Sequence, residues 1–503
     1  MSDDKLLQDE VSANDSVIQI GRVTENTLEK IKELTEQPKQ EIKKISSYQM
    51  VFSIWNTMIG SSIVSIPYNV YYAGIIPTIF IGLLYGFICY LTCSVIVRLG
   101  GKEVDFSIIV YNYFLYGFGK KAAIFGKYLQ ITFNLLINTG AAFVYFLIIN
   151  QNLFPCICLF LKIFDINIDS NDLKPYFNKF SLFYCALVVC FLIFPLTILK
   201  ENHKLAKFNS FGFLFVILLL LFVIYTGFST IATDTFKFEY KENIKGNKER
   251  NLFLFGENPG MLTGTLSLGM FCHSVILQLL KNNRKQENNQ RDLFLGYICV
   301  TLTYIIIGIM GYIGFSGSDY SIDFKDNWFR FFDSDNYFIL FLRLLNVVQL
   351  VSIFPILSFA IRDQLFSTYL KNFVNDKSYI PIILFSICFL ILCILVLYLC
   401  YNILGKLISY IGSVTALILI YTIVPIINMI NYYIRHQPKK EIEKIKNEKL
   451  EIPINIEELV PLKPWKAFIF YICMMLITIL GIITLLLQIF PTNFFGIKIE
   501  KIE

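Results

Sequence analysis

Asn56, Thr57, Gly60, Ser61, Ser62 and Ser65 interrupt a stretch, Val51–Gly74 (VFSIWNTMIGSSIVSIPYNVYYAG), that is otherwise apolar enough to cross a bilayer. Amide and hydroxyl oxygens at this spacing can bind a hard cation or a small polar solute. They contain neither a nucleophile–base pair nor a phosphate-cradling glycine loop. Gly60, the serines that follow and Ser65-Ile66-Pro67 invite the backbone to leave the helix halfway across. In lipid such a break is tolerated only where protein or a polar cavity covers it, and broken helices of this kind build the sites of secondary transporters. The alternative is close helix packing through small residues.

A second stretch repeats the pattern: Gly260, Thr263, Gly264, Thr265, Ser267 and Gly269 lead to His273. Two breaks five spans apart predict two inverted five-helix halves. His273 is read either as a hydrogen-bonded core residue or as a gating group. Ser352 lies just before Pro355 in the eighth span, and by itself it is a hydroxyl that would back-bond to its own helix. No Asp or Glu falls inside any expected span, so a carboxylate proton relay is not expected. Arg343, about two turns into the eighth span, is expected to snorkel outward or to pair with loop acids. The twelve cysteines have no ligand-like spacing and read as small core residues. No enzyme is expected.

These residues need a membrane scaffold to position them. The chain has 503 residues, 55% hydrophobic and only 16% charged, where a soluble protein carries about a quarter charged. Windows long enough to span are 48–74, 75–97, 122–150, 180–199, 208–229, 259–280, 293–315, 337–361, 379–400, 406–433 and 467–490. The expectation is an all-α polytopic membrane protein of eleven transmembrane helices. Asp105–Gly119 is expected to lie at the interface or fold against the bundle. Residues 1–47, without one aromatic, are expected to be a mostly disordered cytosolic tail, 48–490 the helical domain and 491–503 a short far-side tail. Thirty Lys and Arg on the tail's side against thirteen opposite set that orientation. The net charge of +6 is read as loop lysines facing an anionic membrane surface, with no nucleic acid implied. The far-side loop Ser316–Asn336, with five Asp, is either a cation-gathering vestibule or a solvated loop.

Val51–Pro67 resembles the first span of the amino acid/auxin permease superfamily. Leu279–Tyr304 (LLKNNRKQENNQRDLFLGYICVTLTY) is similar to the loop and seventh span of its lysosomal, arginine-sensing, sodium-coupled neutral amino acid transporters. Phe194–Lys200 and Phe271–His273 fit the same pattern. The resemblance implies a LeuT-like inverted repeat with broken helices one and six. It also implies an amino acid substrate against Thr57, Met58, Gly60, Ser61 and Ser62, and a sodium ion held by Asn56, Met58, Ile59 and Ser352. Ser352 stands where the family usually has Thr. No other cofactor is implied.

The family's tail binds the Rag GTPase–Ragulator complex through aromatic-bearing motifs that residues 1–47 lack, so that partner is not expected. Loops 230–258 and 316–336 have neither a cysteine to join them by a disulfide nor a glycosylation sequon. The expected function is secondary active transport of arginine or neutral amino acids. The expected site is a lysosomal or vacuolar membrane, the plasma membrane being the alternative. The rival reading is a transport-inactive amino acid receptor signalling through its tail.

Overall fold

The computed structural model describes residues 45–100, 105–166, 168–170, 172–177, 179–199, 212–233, 236–239, 250–256, 258–315, 327–332, 336–370, 378–436 and 464–489. The expectations for the tail up to residue 44, for 491–503 and for the five Asp of loop 316–336 lie outside these residues.

Helix α1 (Ser47–Met58) begins at a reciprocal cap. The Ser46 hydroxyl accepts from the Gln49 N–H, and the Gln49 side chain accepts from the Ser46 N–H at 3.1 Å. After a single 3-10 turn (Ser61–Val64) comes α2 (Ile66–Ala73), with Pro67 in its first turn, where a missing N–H removes no bond. Then follow α3 (Ile75–Gly100), α4 (Phe106–Phe118), α5 (Lys120–Lys162), α6 (Leu182–Thr197) and α7 (Gly212–Thr233). The second half holds α8 (Pro259–Gly269), α9 (Ile276–Leu280), α10 (Asn289–Phe315), α11 (Tyr337–Thr368), α12 (Ile380–Cys400), α13 (Leu404–Ile418), α14 (Val424–Arg435) and α15 (Pro464–Ile489).

Eight helices among the described residues are long and apolar enough to cross a membrane, α13 and α14 counting as one. The remaining expected spans fall on shorter helices for identifiable reasons. The first and sixth are broken into α1–α2 and α8–α9, and the fourth, α6, has only 16 residues. The central span is α5, whose most apolar window is 67% buried, whereas that of α15 is 11% buried and turns Phe468, Met475 and Leu476 outward as a lipid-facing surface would.

Helix α5 corrects the expected window 122–150. It runs 43 residues, about 65 Å at 1.5 Å per residue, or twice the hydrocarbon thickness. The window stopped at the polar triple Asn150-Gln151-Asn152, which the protein satisfies internally. Asn150 Nδ2 donates to Phe146 O at 2.8 Å, Gln151 Nε2 to Tyr401 O at 3.0 Å and Asn152 Nδ2 to Asn346 Oδ1 at 2.7 Å. Helix α4 takes the second of its two expected places. It is capped by Asp105 and packs on the bundle, with Tyr113 Oη donating to Asn431 Oδ1 at 3.3 Å.

Two elements were not foreseen. The strands β1 (Phe236–Glu239) and β2 (Arg250–Phe253) pair in parallel between α7 and α8. A π turn over Leu419–Ile423 joins α13 to α14, because Pro425 has no N–H to give the Tyr421 carbonyl one helical turn back. All twelve cysteines are free, six of them buried, including Cys158.

Candidate functional site

The backbone leaves the helix at Ile59 (φ −80, ψ 91) and Gly60 (φ −110, ψ −137), where the serine-rich sequence called for a break. Gly60 is required by a close approach: a Cβ there would overlap the Tyr145 hydroxyl from α5. The Gly60 N–H donates to Met58 O at 3.0 Å, and the Ser65 hydroxyl donates to Ser62 O at 3.1 Å. Across the break, Asn69 Nδ2 on α2 donates to Ser65 O at 3.1 Å and to Thr265 Oγ1 on α8 at 3.0 Å.

The sixth span breaks over Met270–Val275, at the end of the stretch expected to break. The glycines and hydroxyls earlier in that stretch serve another purpose, which corrects the reading of them as the break itself. A Cβ on Gly264 would overlap Ser409 O of α13, and one on Gly412 would overlap Gly264 O, so α8 and α13 touch backbone to backbone. His273 lies in the break, fully buried, with Nε2 2.9 Å from Thr92 Oγ1 and its ring stacked on Phe271. That is the hydrogen-bonded core placement of the two expected.

One side chain joins the two breaks. The Tyr304 hydroxyl, from α10, lies 3.2 Å from Met58 O and 3.4 Å from Gly269 O, with Ser62 and Tyr145 beside it. Both carbonyls stand at helix C-termini, where no intrahelical N–H takes them. Sequence reasoning missed Tyr304 in this role. The available signal was a tyrosine in an apolar helix, whose hydroxyl must find a partner, but α10 holds three (Tyr297, Tyr304 and Tyr312) and nothing in the sequence singles this one out.

The outer ends of the broken spans are also tied. Ile76 N–H donates to Leu254 O at 3.0 Å, Gly256 N–H to Ala73 O at 2.9 Å and Asn258 N–H to Tyr72 O at 2.8 Å. Gly74, at φ +87, makes this turn, and a Cβ on it would meet the backbone of Leu254 and Gly256.

The expected substrate residues Met58, Gly60 and Ser62 are thus buried at the first break, whose 3-10 turn begins with Ser61. Thr57 stands one residue earlier, half-buried, its hydroxyl donating to Ser53 O at 2.7 Å. Of the expected sodium ligands, Asn56, Met58 and Ile59 lie together on the first span and are buried. Met58 O already accepts from Gly60 and Tyr304, so a cation would have to displace one of these donors. Ser352 is buried on α11 with its hydroxyl donating to Gln349 O at 2.6 Å, the back-bonded state expected of an isolated serine.

Among the described residues Arg343 neither turns outward nor pairs with an acid. It is 3% exposed and its Nη2 donates to Phe329 O at 2.7 Å, with Phe332 O at 3.4 Å. Carbonyls, not carboxylates, hold it. The motif at Lys281–Asp292 is a folded turn: Asn283 Nδ2 donates to both Asn289 Oδ1 and Asp292 Oδ2 at 2.9 Å, and Gln286 Nε2 donates to Leu280 O at 2.9 Å.

The family described as transmembrane amino acid transporter protein matches residues 43–487. The chain is 25% identical over 431 residues to neutral amino acid transporter 9 of Danio rerio, covering 77% of this chain and 75% of that one. It is 25% identical over 448 residues to the sodium-coupled neutral amino acid transporter 9 homolog of Caenorhabditis elegans, covering 77% and 69%. Among solved structures it is similar to Mhp1 in an inward-facing conformation, with a TM-score of 0.53 at 12% identity over 89% of this chain and 90% of that one. A likeness at that identity concerns the fold alone, and it is the inverted-repeat, LeuT-like fold with interrupted first and sixth spans.

Proposed function

The chain belongs to the transmembrane amino acid transporter family, and from that premise we propose that it is a secondary active carrier of neutral amino acids working by alternating access. The observation that carries the reading is the meeting of two helix breaks at one hydroxyl: Met58 O and Gly269 O both face Tyr304. Backbone groups released from helices offer N–H donors to a substrate carboxylate and carbonyls to its ammonium, the recognition that broken helices supply elsewhere. Met58, Gly60, Ser61 and Ser62 are the proposed contacts, with Thr57 at the entrance.

Neutral substrates are favoured over arginine for two reasons. The similar proteins carry neutral amino acid transporter names, and no expected span has a carboxylate for a guanidinium. Sodium is the proposed co-substrate, taken by oxygens of Asn56, Met58, Ile59 and Ser352. The set is all-oxygen, as a hard cation requires. Entry of one positive charge down 100 mV releases about 2.3 kcal/mol, enough to accumulate a neutral solute roughly fortyfold. A lysosomal or vacuolar membrane is the proposed location.

The test is uptake of labelled leucine, glutamine and arginine into proteoliposomes with and without a sodium gradient. Saturable, sodium-stimulated uptake of leucine or glutamine that is lost in Thr57→Trp is expected. Uptake indifferent to sodium would remove the ion assignment, and uptake unchanged in Thr57→Trp would remove the substrate site.

A further inference from the structure

At the N-terminal end of α11, where it packs on α5, a small cleft is lined by Gln151, Asn152, Ser170, Phe329, Arg330 and Arg343, among others. Its chemistry is unusual for a membrane protein. The Arg343 guanidinium is 97% buried, and two of its nitrogens, Nε and Nη1, have no hydrogen-bond partner. Its third, Nη2, is bonded to carbonyls of the turn Trp328–Phe331 and of Phe332. No carboxylate pairs with Arg343 among the described residues. A buried charge is normally matched by a counter-charge, because desolvation is otherwise uncompensated. Here the neighbours are instead amides and a second arginine, Arg330.

The amides are also held in place. Asn327 Nδ2 donates to Gln151 Oε1 at 2.9 Å and lies 3.4 Å from Asn152 Oδ1, while Asn152 Nδ2 donates to Asn346 Oδ1 at 2.7 Å. Pro155, also in the lining, has no N–H for the Gln151 carbonyl. A buried cation with two unfilled guanidinium donors beside a fixed amide network describes a receptor for negative charge.

We propose that this cleft binds a compact monovalent anion, with Arg343 Nε and Nη1 as its principal donors and Arg330 at the rim. The ligand chemistry is that of a halide or a single carboxylate group. It stands apart from the proposed transport site, which is built on the first and sixth spans, and does not depend on that reading. The anion supplies the counter-charge that Arg343 lacks among the described residues, and so favours the arrangement in which α5, α11 and the Asn327–Phe332 segment close around it.

The test uses the purified full chain in detergent, followed by thermal unfolding at constant sodium and ionic strength. Chloride replaces the bulky sulfonate HEPES in one series; alanine, or alaninamide as the carboxylate-free control, is added to chloride-free HEPES buffer in another. A saturable rise in Tm with chloride alone identifies a halide site. A rise with alanine and none with alaninamide identifies the carboxylate of an amino acid. Either response is expected to vanish in Arg343→Gln and to need a severalfold higher concentration in Arg330→Gln. The second variant decides the matter should the first not fold. An unfolding temperature in the wild type that ignores every probe would overturn the proposal, as would a response unchanged in both variants; Arg343 Nε and Nη1 would then be met by water alone.

Discussion

Tyr304 and Gly60 show how unequally single residues announce themselves. Gly60 was legible, since a glycine followed by two serines in an apolar span has few uses besides a break or a close contact, and it serves both. Tyr304 was not, because its importance comes from two carbonyls about 35 and 246 residues away in the chain. Tyr304→Phe keeps the ring and removes the bridge between the breaks. Net loss of a buried hydrogen bond is worth about 1–2 kcal/mol, part of it offset at Met58 O by the remaining Gly60 N–H. A Tm lowered by a few degrees is expected, with uptake reduced more than stability, as measured by unfolding and proteoliposome flux on one preparation. Gly60→Ala drives a methyl into the Tyr145 hydroxyl and is expected to destabilise by roughly 1–3 kcal/mol. Adding Tyr145→Phe removes the overlapping oxygen and should restore part of that loss, since touching residues are not additive. Equal damage in the single and double variants would show that Gly60 is needed for its backbone alone.

Among elements, the reading succeeded where polarity interrupted an apolar run and failed where polarity was satisfied at a distance. The first span broke at the expected residues, yet in the sixth the small residues belong to a contact and the break follows them. Gly and Ser mark both packing and unwinding, and composition cannot separate the two until the neighbouring helix is known. Helix α5 outran its window because Asn150-Gln151-Asn152 reads as a loop, and only Tyr401, Asn346 and Asn327 make it helix interior. The backbone contact of α8 with α13 leads to a prediction of its own. Gly264→Leu must force the Ser409 and Gly264 backbones apart, which a shifting side chain cannot relieve, and a loss of at least about 3 kcal/mol is expected. Gly119→Leu, with no atom near its Cβ, is the contrasting change: only its backbone, at φ 83 and ψ 178, is strained, so about 1–3 kcal/mol is expected. Detergent-solubilised unfolding temperatures that rank the two in the opposite order would contradict this packing.

At the scale of the whole molecule, the fold must be able to work without the polar segment that precedes it if it is a carrier. A receptor that reports occupancy through residues 1–44 cannot do so, which makes the tail the place to separate the two functions. The structure gives a clean place to cut. Helix α1 carries its own start signal, with Ser46 and Gln49 capping one another. The first-turn donors therefore stay satisfied when everything before Ile45 is removed, and a capping loss of about 1 kcal/mol is avoided. The break at Ile59–Gly60 lies some 14 residues beyond the cut, about 20 Å along a helix, and its bonds run to Tyr304 and Thr265. Deletion of residues 1–44 is thus expected to leave leucine or glutamine uptake within about twofold of the full chain, once normalised to protein inserted. Its unfolding temperature should be unchanged. Deletion to Gln49 instead removes the cap and should lower both. Loss of uptake on the first deletion with stability intact would mean that the tail takes part in the transport cycle; binding without flux in the full chain would favour the receptor.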